Sequence, residues 1–111
     1  MMEQWKVILT SEAQTDIRAI YAYISKTLLE PEIAKGQVDR LLKAIHSLDN
    51  MPLRFSLYEK EPWHSRGLRR MTVDNYLVFY LPNEKMRETV IFHVFYAGRN
   101  VEKLLASTEN E

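Results

Sequence analysis

The sequence has no cysteine, which excludes a disulfide framework, a thiolate metal site and a cysteine nucleophile. Charge of one sign is not in excess either: fifteen Lys and Arg stand against fifteen Asp and Glu, for a net charge of zero. Bulk electrostatics therefore gives no drive towards nucleic acid, and any such binding must come from a local patch. No apolar run is long enough to span a bilayer, and the N-terminus lacks the basic-then-apolar pattern of a signal peptide. The expectation is a cytoplasmic protein that does not engage a membrane. Three histidines without a spacing such as His-Glu-x-x-His give no metal site, and nothing in the pattern calls for a cofactor. With only three glycines and four prolines, breaks in the chain are few and each one carries information.

What is present starts with the stretch from Gly67 to Gly98. It holds three runs dense in Val, Ile, Tyr and Phe: Leu68 to Val73, Asn75 to Leu81 and Thr89 to Ala97. Such side chains suit a pleated surface, so each run reads as a strand. Asp74-Asn75 supplies a tight turn between the first two runs, and the charged stretch from Pro82 to Glu88 joins the second to the third. The expectation is an antiparallel meander. In the middle run Tyr76, Val78 and Tyr80 alternate with Leu77, Phe79 and Leu81. In the last, Val90, Phe92, Val94 and Tyr96 alternate with Ile91, His93, Phe95 and Ala97. Both faces are apolar, so both must be covered. The first run, with Arg69 and Arg70, reads as an edge strand.

Residues 5–10 read as a further strand, with Trp5, Val7 and Leu9 on one face. Ser11 and Gln14 have the form of a capping box. The helix they open shows Ala13, Ile17, Ile20, Ile24 and Leu28 at spacings of three and four, and should end near Leu29, ahead of Pro31. Pro31 suits the first turn of a second helix, which repeats the pattern with Ala34, Val38, Leu41, Ile45 and Leu48 and stops before Pro52. The two make an antiparallel hairpin able to cover one sheet face. The predicted fold class is therefore α+β: an N-terminal strand, a helical hairpin over residues 11–50, and a three-stranded antiparallel meander in one sheet, with the helices on one face. Gly98 to Leu105 can add a short terminal helix, too short to cover the second face alone. A single domain over residues 1–106, followed by a polar tail over 107–111 expected to be disordered, accounts for the chain.

The reactive-looking side chains gather in residues 51–67, with Glu59, Lys60, Glu61, Trp63, His64 and Arg66. From His64 to Val73 there are three arginines and no acidic residue. The plain reading is a solvated loop and edge strand. The sharper one is an anion or phosphate site, because the planar guanidinium fork fits phosphate oxygens. Arg66, Arg69 and Arg70 are thus candidate target- or phosphate-binding residues, and Arg99, which follows the end of the last strand, joins them as a supporting cation. His93, on a strand with two apolar faces, reads as a hydrogen-bonded packing residue.

The strand, helix, helix, three-strand order resembles the RelE/ParE superfamily of toxins from type II toxin–antitoxin pairs. The resemblance runs over nearly the whole chain: Ala13, Asp16, Ile17, Ile20, Tyr23 and Ile24 on the first helix, Leu48 to Pro52, Gly67 to Met71, Asn75-Tyr76 to Phe79-Tyr80, and Val90 to Asn100. It implies a cognate antitoxin as partner and one of two targets. RelE-like members cleave mRNA on the ribosome, with basic residues holding the scissile phosphate and a proton-transfer group assisting. The nuclease set on this chain would be Arg70 and Arg99 with His64. ParE-like members instead inhibit DNA gyrase. Cleaving members commonly place an arginine where this chain has Leu77, and tend to carry a tyrosine or histidine near the C-terminus, which is missing after Arg99. These departures favour gyrase as the target over an endoribonuclease acting with ribosome and mRNA. A non-toxic binding module of the same fold is the third class. Arg70 and Arg99 are expected to meet at one rim of the sheet, and the antitoxin is expected on the face the hairpin leaves open.

Overall fold

The computed structural model describes residues 4–109. Strand β1 is Lys6–Leu9, and helix α1 follows at Ser11–Ala22. Its N-cap is Thr10, one residue ahead of the expected Ser11. The Thr10 hydroxyl donates to the Phe92 carbonyl and accepts from the Ala13 N–H, both at 3.1 Å. Thr10 is preferred because its backbone N–H is already held by the Ile91 carbonyl, which keeps it extended at the helix entrance. Gln14 reaches back as expected, to the Leu9 carbonyl.

The helix continues as a π-helical turn at Tyr23–Thr27 and is stopped by Leu29, whose φ of 57° lies in the left-handed region. Helix α2 is Pro31–His46, with proline in its first turn. A one-turn helix α3, Trp63–Arg66, lies where the plain reading of the sequence has a solvated loop. Strands β2, β3 and β4 are Arg69–Val73, Tyr76–Asn83 and Glu88–Tyr96, and α4 is Val101–Glu109. That last helix takes in part of the stretch read as a tail; residues 110–111 lie outside the described residues.

The sheet order is β1-β4-β3-β2. The meander β2-β3-β4 is antiparallel as expected, but β1 lies parallel to β4, so the sheet is mixed. Asp74 and Asn75 form the two-residue turn between the paired Val73 and Tyr76. Asp74 adopts φ 54°, and its carboxylate accepts from Gln37 Nε2 and Arg40 Nε, each at 2.9 Å. The turn therefore fastens α2 to the sheet.

The hairpin covers one face. Ile17, Leu41, Ile45 and Leu48 pack there on Met71, Val78, Tyr80, Ile91 and Val94. The other face is not open: Leu105 of α4 joins Tyr58, Trp63, Leu68, Phe79 and Phe95 in a second buried cluster. The expectation of helices on one face, with the second left for a partner, is corrected here. Leu105, with the partly buried Val101 and Leu104, does not cover this face alone: Trp63 and Tyr58, from the stretch read in sequence as carrying reactive-looking side chains, add to the cover. The alternation along β4 also shifts phase. Phe79 pairs with His93 and Tyr80 with Ile91, so Phe92 is an extra residue, and Ile91 and Val94 come to share the hairpin face.

Candidate partner-binding groove

Strand β1 stops opposite Ile91, whereas β4 runs on to Tyr96, so the far end of β4 has free backbone groups on that edge. Asp16 of α1 meets this need. Its Oδ2 accepts from the Val94 N–H at 3.0 Å and lies 2.8 Å from His93 Nδ1. His93 is buried and stacks on Phe95, with ring centroids 4.6 Å apart. The Asp16–His93 pair is thus a structural clamp between α1 and β4. Asp16 has no role of its own in the sequence reading; the signal that could have found it was a first strand read over residues 5–10 beside a longer last run, Thr89 to Ala97, that it cannot pair to its end.

Because the clamp, and not a continued β1, joins α1 to the end of β4, a groove of about 710 Å³ opens there between the hairpin and the sheet. Ile20 and Tyr23 line it from the first helix, Ile33 from the second, and Tyr76, Val94 and Tyr96 from the strands. Its rim is unusually apolar for a surface: Tyr23, Leu28, Ile33 and Tyr96 are 56, 51, 57 and 49% exposed. Such contiguous exposed apolar surface marks a protein-interaction site. Leu29, at the hairpin tip beside the groove, is 77% exposed in a left-handed conformation that leucine adopts only at a cost. Arg99, just past β4, supplies the groove's positive charge.

The structure does not bring the expected site residues together. Arg70 lies on the face opposite the groove, its guanidinium 6.0 Å from the Tyr58 ring centre and 3.7 Å from Glu59. Arg99 lines the groove on the hairpin face. The expected shared rim fails because Arg70 sits opposite Phe79, which pairs with His93, whereas Arg99 follows the row of Tyr76 and Tyr96 at the sheet end. Arg69 points to the hairpin side and donates to the carbonyls of Leu53 and Phe55, so it braces the loop after α2. Arg66 lies over the Trp63 ring at 5.2 Å. His64 sits on α3, half exposed, with Nδ1 3.9 Å from Glu61 Oε2. Glu61 is itself held by the hydroxyl and then the backbone N–H of Ser65, which lower its pKa below the usual carboxylate value. Among the described residues, no group of three His, Asp or Glu side chains could hold a metal ion, and no helix is long and apolar enough to cross a membrane.

Residues 7–101 match the sequence model of the family described as ParE toxin of type II toxin-antitoxin system, parDE. The chain belongs to the ParE toxin family. Its fold is that of solved toxin–antitoxin proteins. A chain of the chromosomal ParDE toxin–antitoxin system from P. aeruginosa superposes with a TM-score of 0.69 at 20% identity, over 85% of this chain and 97% of that one. A chain of the RelBE2 toxin–antitoxin complex from Mycobacterium tuberculosis gives 0.60 at 21% identity, over 86% and 94%. One from the archaeal RelE–RelB complex of Pyrococcus horikoshii gives 0.60 at 17%, over 86% and 98%. No curated protein sequence matches this ParE-family chain significantly.

Proposed function

We propose that this chain is a growth-arresting toxin that acts by ParE-like inhibition of DNA gyrase and is held inactive by an antitoxin seated in the apolar groove. The observation that carries the reading is the dispersal of its candidate nuclease residues. Ribonucleolytic chemistry needs cations and a proton-transfer group converging on one scissile phosphate. Here Arg99 stands at the groove, Arg70 on the opposite face beside Glu59, and His64 on α3. The remaining histidine–carboxylate pair, Asp16 and His93, is occupied in closing the edge of β4. An inhibitor that acts by binding needs no such convergence, and the family match favours the same side.

The groove supports the antitoxin half of the proposal. A segment with one apolar face can fold into it on binding, gaining the burial of side chains that otherwise face water. The deciding experiment measures DNA supercoiling by gyrase and cleavage of a translated mRNA side by side with the purified chain. Inhibited supercoiling without new mRNA ends is the expected result. Ribosome-dependent cuts with unimpaired supercoiling would establish the RelE-like reading in its place.

A further inference from the structure

We infer that Arg99 determines partner specificity at the groove, by pairing with one carboxylate set within the apolar stripe of the antitoxin segment. This rests on the antitoxin reading above and goes beyond it by naming the complementary charge. The groove's lining holds two charged residues, Asp16 and Arg99. The Asp16 carboxylate is held by the Val94 N–H and His93 and forms no ion pair with Arg99. Among the described residues Arg99 has no ion pair, and its side chain makes no hydrogen bond; only its backbone N–H is held, by the Tyr96 carbonyl at 3.0 Å. A cation without an ion-pair partner, on a wall that is apolar apart from the engaged Asp16, rewards one anion and disfavours a second cation.

The surroundings fix where that anion must come. Tyr96 leans edge-on against Tyr76, with ring centroids 5.8 Å apart. Its ring also lies over Gly98 so closely that a Cβ there would come within 2.6 Å of it. Gly98 is therefore a positioning residue: it lets Tyr96 form the lip of the groove beside Arg99. Isolated phosphates of a nucleic acid fit this site poorly, because apart from the Asp16 carboxylate the wall around the single cation is hydrocarbon and phenol. A helix with one apolar face, interrupted by a single Asp or Glu, fits both parts.

The test uses the product of the reading frame beside this chain's gene, with binding measured by calorimetry. Arg99→Ala should weaken binding by about 10- to 100-fold, the range for losing a charge-assisted hydrogen bond, and Arg99→Glu by at least about 100-fold, with unchanged melting temperature. Reversing one acidic residue of that product to Arg should restore binding to Arg99→Glu while weakening binding to the wild-type chain. Gly98→Ala, which displaces the Tyr96 ring but leaves the charge in place, should also weaken binding. If Arg99→Glu binds within about twofold of wild type, or no acidic reversal rescues it, the inference is overturned even where Tyr23→Ala still weakens binding and so supports the groove. Loss of toxicity in Arg99→Glu with partner binding intact would assign Arg99 to the target and overturn it as well. A product that does not bind the wild-type chain at all overturns the antitoxin reading, and this inference with it.

Discussion

At the scale of single residues, buried polar groups decide where the loops lie. Tyr80 has no exposed surface, and its hydroxyl donates to the Pro52 carbonyl at 2.6 Å. Burial pushes the phenol up to about 12, against the opposing effect of Arg69 and Arg54 nearby. The folded chain thus holds the Tyr80 proton more tightly than the unfolded chain does. This contribution to stability is fully present below the ordinary tyrosine value near 10 and is lost as pH rises from there through about 12. Urea titrations from pH 7 to 12 should show a falling midpoint above pH 10, and the fall should be smaller in Tyr80→Phe. At neutral pH that variant should lose about 1–2 kcal/mol, because the Pro52 carbonyl is left buried without its donor. Equal alkaline slopes in the two proteins would show that Tyr80 is not the group responsible. None of this was legible in the sequence, where Tyr80 counted only as one apolar residue of an alternating strand and Pro52 only as a helix stop.

At the scale of elements, what was legible followed from periodicity, and what was not followed from places where two readings satisfy the same pattern. The hairpin declared itself through Ala13, Ile17, Leu41, Ile45 and Leu48, all buried, and Pro31 opens α2 where a proline belongs. The cap fell on Thr10 and not Ser11 because adjacent hydroxyls are equivalent to a sequence pattern; the pairing of β1 with β4 chooses between them. The bulge at Phe92 was invisible because both phases of that strand are apolar. The site was less legible still. Arg70 and Arg99 were read as neighbours from strand order, but the register sets them on different rows and their faces differ. Gly36 offers a test of the hairpin's own energetics. It lies in the middle of α2, where glycine costs about 1 kcal/mol relative to alanine, and an added Cβ would meet only the mobile Nη1 of Arg40, at 3.4 Å. Gly36→Ala should therefore raise stability by about 0.5–1 kcal/mol, seen as a higher thermal midpoint. A lower midpoint would mean that the Arg40–Asp74 contact has no room to adjust.

At the scale of the whole molecule, the sheet is covered on both sides, by unequal layers. Among the described residues the hairpin side has ten fully or nearly buried residues in its cluster and the α4 side six, so the second layer depends more heavily on each member. Among the described residues of α4, Leu105 is the one fully buried, and it shares this cluster with Leu68, Phe79 and Phe95. Phe79 stands between Val78 and Tyr80, which face the hairpin, so a gap beneath it reaches the strand that both layers share. Leu105→Ala should lower the unfolding free energy by about 2–4 kcal/mol through lost burial and the cavity left behind. Leu41→Ala, on the hairpin side, should cost a similar amount for the same reason. The two variants should differ in function: Leu41 packs in the layer that forms the groove wall, whereas Leu105 lies across the sheet from it. Under conditions where both variants are folded, antitoxin affinity should stay at the wild-type value in Leu105→Ala and fall in Leu41→Ala. Hydrogen exchange gives the decisive check on cooperativity. Leu105→Ala is expected to speed exchange in β3 and β4 as well as in α4; if it speeds exchange only in α4 and leaves β3 and β4 protected as in wild type, the helix is an independent flap and the two layers do not unfold together.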